Sequence, residues 1–223
     1  MTQPGRGGAP VPIVTVWATY GAGLDEFGPK LAEKLGVPLH EGAFSSDDLH
    51  DAAENGGGAN EPDGDSWYLV QAIYQQGRAF KWRNIFQGVK RGREEQRQDL
   101  INAVQADARR GGVFLGRNAT VILGRYPGAL HVKLDGPLEG RIKRLTDLGI
   151  PESKVREDQQ FEDNVRSQMS VALFDWDPLG TDRYDLVLNT VALGIDTAVQ
   201  IAAEASRAKM GGAHPEAPPP PAG

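Results

Sequence analysis

The 223-residue chain has no cysteine, which excludes disulfides, thiolate nucleophiles and Cys-ligated zinc or iron–sulfur centres. It has no basic surplus either. Its 24 Lys and Arg stand against 30 Asp and Glu, a formal net charge of -6, so nucleic-acid binding over the whole surface is not expected, although local basic patches remain. No apolar run approaches the roughly 20 residues of a membrane span. The opening MTQPGRGGAPVP lacks the apolar centre of a signal peptide. A cytoplasmic address without membrane contact is therefore expected. The four histidines, His40, His50, His131 and His214, have no metal-ligand spacing, and no metal ligands are assigned.

What is present suits one α/β domain of moderate size, with hydrophobic residues at 39% and charged residues at 24%. The 28 Gly and 15 Pro point to long loops and tails. Residues 1–11 read as a flexible lead-in, 12–208 as a single domain, and KMGGAHPEAPPPPAG at 209–223 as a disordered Pro-rich tail. Within the domain, the run from Ile13 to Trp17 predicts a strand. It turns through Gly21-Ala22-Gly23 into a helix over 25–35, with Phe27, Leu31, Ala32 and Leu35 on one face. Residues 53–66, AENGGGANEPDGDS, read as a loop, and 67–86 and 94–108 as helices, the second closing at Gly111-Gly112. VFLGRNATVIL contains a buried strand running into Gly116. ALHVKLDG and YDLVLNT are further strands, followed by helical stretches at 138–148 and 195–208. Strands alternating with helices predict a mostly parallel central sheet covered on both faces.

The order of VTV…GAG with LAEKLGVP, FLGRNATVIL, HVKLDGPLEGRIKRL, DNVR and YDLVLNTVALGID resembles the cytidylate kinase-like family of P-loop nucleoside monophosphate kinases, over about residues 13–203. The resemblance implies a P-loop NTPase fold with a helical monophosphate-binding insertion at 67–110 and a lid at 149–180. It also implies nucleotide partners, CMP or dCMP and ATP, and a Mg²⁺-dependent phosphoryl transfer between them.

A working donor loop reads GxxxxGK[ST]: its glycines let backbone N–H groups close on phosphate, its Lys neutralises the transferring oxygens, and its hydroxyl holds Mg²⁺. Laid on ATYGAGLDE without gaps, the first Gly falls on Ala18, the second on Gly23, the Lys on Leu24 and the hydroxyl on Asp25. The Ser-Arg pair that some members carry before the turn is replaced by Trp17 and Ala18. The resemblance leaves Gly21, Ala22 and Gly23 to cradle a donor, on a helix N-terminus that favours anions. Asp25, in the first helical turn, competes for that dipole and is a candidate cap. Lys30 is either a displaced phosphate ligand or a solvated helix lysine.

On the acceptor side, Gly116-Arg117 matches the family's GR pair, and Arg117 is implied to contact the acceptor phosphate, with Asn118 in place of the family's Asp. Of the lid motif RDxxDxxR, Asp163 and Arg166 remain as implied nucleotide-binding residues, while Gln159 replaces the first Arg. Arg141 and Arg144 either supply catalytic charge near the donor, together with Arg117, or form a solvated helix face. The segment at 78–93 gathers Arg78, Lys81, Arg83, Lys90, Arg91 and Arg93 with Phe80, Trp82 and Phe86. It suits closure on a nucleotide phosphate, a protein or RNA contact, or a solvated helix with its aromatics in the core. Together these residues predict a nucleotide-binding protein whose kinase activity is weak or lost, with a non-catalytic nucleotide-binding regulatory or macromolecular interaction protein on a kinase scaffold as the alternative.

Overall fold

The computed structural model describes residues 11–41, 90–116 and 118–211. The expected lead-in, the loop at 53–66, the helix at 67–86 with most of the basic aromatic segment, Arg117, and the end of the Pro-rich tail lie outside them. Among the described residues, five strands form one parallel sheet: β1 (Ile13–Ala18), β2 (Leu39–His40), β3 (Gly112–Leu115), β4 (Leu130–Asp135) and β5 (Leu186–Asn189). Their order is β2-β3-β1-β4-β5, with every neighbouring pair parallel. The helices are α1 (Leu24–Leu35), α2 (Lys90–Ala108), α3 (Ala119–Ile122), α4 (Leu138–Asp147), α5 (Glu152–Phe174), α6 (Thr190–Leu193) and α7 (Ile195–Gly211).

The central strand explains why the sheet is parallel and covered. Every residue of β1 is buried, as a strand sandwiched between helical layers requires. Val14, Val16 and Ala18 join one core with Phe27, Leu31 and Ala32 of α1 and Ala198, Val199, Ala202 and Ala203 of α7. The opposite face packs Ile13 and Phe114 against Val104 and Ala108 of α2 and Ala119 and Leu123. Thr15 also faces this side, and its buried hydroxyl is satisfied by Thr120 Oγ1 at 3.0 Å and His131 Nδ1 at 2.8 Å. Burial pushes the His131 pKa down to about 4.

Helix α1 starts at Gly23, which takes the left-handed conformation at φ 85° without any side-chain cap. Asp25 therefore contributes charge to the first turn but makes no capping bond, contrary to the capping expected for it. The helix runs through Pro29. It lies close on β3 because residue 28 is glycine: a Cβ there would stand 2.8 Å from Leu115 Cδ1. The expected lid contains one long helix, α5, of 23 residues. Its buried positions include Asp158, Glu162, Ser167 and Ser170 as well as Val155 and Val165. Beyond it, Lys133 of β4 donates to Leu179 O at 2.8 Å, tying the chain after α5 to the sheet. Because all strands run the same way, the turns after β1, β4 and β5 gather at one edge, where open α/β sheets bind ligands.

Candidate functional site

At that edge, residues 19–23 connect β1 to α1. Gly21 and Gly23 both have positive φ, at 76° and 85°, a conformation that costs other residues. Space alone would also exclude a side chain. A Cβ on Gly21 would stand 2.8 Å from Arg141 O, and one on Gly23 would stand 2.5 Å from Ile195 Cδ1. Three successive loop carbonyls are each held from outside. Tyr20 O accepts from Arg141 Nη1 at 2.5 Å, Gly21 O from Arg144 Nη1 at 2.9 Å, and Ala22 O from Thr190 Oγ1 at 2.7 Å. The peptides are trans, so each following N–H, on Gly21, Ala22 and Gly23, points away from the group that holds the carbonyl. Ala22 N–H turns back to Thr19 O at 3.0 Å. The loop is thus shaped by side chains that hold its carbonyls from α4 and α6.

Arg141 and Arg144 are not a solvated helix face. They stand three positions apart on α4 and so project together. Arg141 is only 7% exposed; its Nε donates to Gly136 O at 3.1 Å and its Nη1 reaches Asp163 Oδ2 at 3.4 Å. Arg144 Nη2 donates to Thr190 O at 2.8 Å, and burial lowers its pKa.

Carboxylates surround the same loop. Asp163 Oδ1 accepts from Tyr20 N at 2.7 Å, while Gln159 Nε2 donates to its Oδ2 at 2.8 Å. Asp135, at the end of β4, accepts from Thr19 Oγ1 at 3.1 Å and from Gly136 N at 2.8 Å. Its other oxygen stands 3.5 Å from Lys133 Nζ, which also lies over the Trp17 ring at 5.6 Å. Leu24, at the lysine position of a working loop, packs instead against the apolar core. Lys30 is a surface residue of α1, bonded to Glu26 at 2.5 Å and Asp196 at 2.7 Å. Of its two readings, the solvated lysine is the one observed.

The Tyr20 side chain is half-buried beside Asp158 and Glu162 of α5. Burial, with the charges of Asp158 and Glu162, pushes its pKa up to about 12. Asp158 is paired with Lys154 at 2.7 Å, and Glu162 Oε2 with Arg166 Nη2 at 2.8 Å. Glu162 is 1% exposed, and its Oε1 has no partner among the described residues.

Gly21, Ala22, Gly23, Arg141, Arg144 and Asp163 are thus brought together around one loop. Arg166 lies on α5, as Asp163 does, but is engaged with Glu162. Sequence reasoning missed Thr190, Thr19 and Asp135. Their only local signal is position, since Thr190 follows the strand in LVLNT and Asp135 ends the strand in HVKLD.

A parallel sheet in the order β2-β3-β1-β4-β5, with a glycine loop between its central strand and the first helix, defines a P-loop-type nucleotide kinase scaffold. The chain belongs to the cytidylate kinase-like family, whose model matches residues 13–192. Among solved structures, an uncharacterized protein from Eubacterium ventriosum superposes with a TM-score of 0.56. That match has 16% sequence identity and covers 88% of this chain and 98% of the other. It is a likeness of fold. A uronate isomerase from Corynebacterium glutamicum is 35% identical over 122 residues, which is 54% of this chain but only 23% of that protein.

Proposed function

We propose that the protein binds nucleotides at this edge and that its transfer of a phosphoryl group from Mg²⁺-ATP to CMP or dCMP is feeble or lost. In this reading Gly21, Ala22 and Gly23 face the donor, while Arg117, Asp163 and Arg166 serve the acceptor. The reading rests most on one observation: Arg141 and Arg144 spend their guanidinium donors on the loop's own carbonyls and on Thr190. Cationic contacts on the transferring group can be worth on the order of 10³ to 10⁵ in rate. Here the lysine position holds Leu24, and the first lid arginine is Gln159. Asp25, Asp135 and Asp163 add negative charge around the loop. Mg²⁺ would enter with the nucleotide's phosphates, as it commonly does; among the described residues no group of three or more His, Asp or Glu converges as a metal site.

Titration of the purified protein with CMP, CDP, ATP and GTP, with and without Mg²⁺, tests the reading. Saturable binding of a cytidine nucleotide is expected. No binding of any of the four at millimolar concentration would refute it and leave the family scaffold as a platform for another macromolecule. The basic aromatic run from Arg78 to Arg93 would then be the leading surface.

A further inference from the structure

The resemblance gives Asp163 the task of reading an acceptor nucleoside, yet its carboxylate faces the donor loop. One oxygen takes the Tyr20 N–H at 2.7 Å; the other is 3.4 Å from Arg141 Nη1 and accepts from Gln159 Nε2 at 2.8 Å. Arg141 Nη1 in turn holds the Tyr20 carbonyl. The Tyr20 residue is therefore gripped at both of its backbone polar groups, by the lid at one and by α4 at the other. A backbone N–H in the turn after β1 and a nearly buried guanidinium are groups that an incoming phosphate can recruit. Here an anion belonging to the chain already holds them. Its side chain is 15% exposed, so the contact is shielded from screening by salt.

We propose that Asp163 is an autoinhibitory latch: it fastens lid helix α5 to the donor loop, and a pyrophosphate-bearing ligand must displace it to bind. The inference rests on the reading of residues 19–23 as a phosphate site, and it adds the regulation of that site. Displacement would free the Asp163 carboxylate for the acceptor, so that donor binding prepares the acceptor side. A ligand can shift the lid only by its preference for the open state, and the pyrophosphate group supplies that preference by competing for the same N–H and guanidinium.

The test compares the full-length protein with Asp163→Ala and, as a variant that keeps the side chain's shape, Asp163→Asn. Amide hydrogen exchange at Tyr20 and calorimetric titration with inorganic pyrophosphate and with ATP are measured on all three. Exchange at Tyr20 should accelerate at least tenfold in Asp163→Ala. Pyrophosphate and ATP should bind both variants about tenfold more tightly than the wild type. Unchanged exchange at Tyr20 overturns the latch, because the contact then has no hold in solution. Equal or weaker binding by both variants also overturns it while leaving the phosphate site standing. Absence of binding by all three proteins removes the phosphate site and the latch together, a pattern distinct from the other two.

Discussion

The carboxylate of Asp163 and the backbone N–H of Tyr20 stand 2.7 Å apart, joining residues separated by 143 positions. The contact places α5 on the turn between β1 and α1 and directs a residue implied by the family resemblance to bind nucleotide toward the protein's own backbone. Around it, the loop's carbonyls are held by Arg141, Arg144 and Thr190.

Removing that support should loosen the loop. Arg144→Ala loses bonds from a charged donor to Gly21 O and Thr190 O and is expected to cost about 1.5–3 kcal/mol per lost charged bond at most. Thr190→Val leaves Ala22 O unpaired and should cost about 1–3 kcal/mol. Because Arg144 Nη1 also donates to Thr190 Oγ1 at 3.2 Å, the double variant should lose less than the sum. Urea denaturation of the three variants checks this, and strict additivity would show that the two side chains act separately.

Strands β1, β3, β4 and β5 and the helices α1, α4 and α7 could be read from the sequence because each carries a local pattern: a short apolar run bounded by turn residues, or apolar residues at helical spacing. The site could not be read in the same way. Arg141 meets Tyr20 across 121 positions and Thr190 meets Ala22 across 168, and no periodicity records such meetings. An arginine at the start of α4 looks alike in sequence whether it faces water or a carbonyl. The long lid helix was obscured for a related reason. Asp158, Glu162, Ser167 and Ser170 lie on its buried side, so its inner face has no apolar stripe. Strand β2, with two residues, is too short to show alternation.

Stability should fall on mild acidification because of His131. Its folded pKa, about 4, lies below the 6.5 of an ordinary histidine, with burial the main cause. Between those values the unfolded chain binds a proton that the native state refuses, so stability is lost as pH falls through this window and levels off below it. At roughly 1.4 kcal/mol per pH unit, the loss should be on the order of 3 kcal/mol. His131→Gln should flatten the slope between pH 6.5 and pH 4 in urea titrations. An unchanged slope would assign it to carboxylates instead.

The acceptor assignments are tested separately. Arg117→Ala should weaken CMP binding by about 1.5–3 kcal/mol, the worth of a bond to a charged group, without lowering the thermal midpoint. Asp163→Ala should alter the preference among CMP, UMP and AMP. Identical CMP affinity in wild type and Arg117→Ala would remove Arg117 from the site.

The most direct measurement is steady-state turnover with Mg²⁺-ATP and CMP in a coupled assay. With Leu24 and Asp25 at the lysine and hydroxyl positions and both arginines of α4 bound to backbone, turnover should lie far below the roughly 1–100 s⁻¹ of kinases. Turnover within that range would contradict the reading and require Arg141 or Arg144 to leave the loop carbonyls for the transferring phosphate.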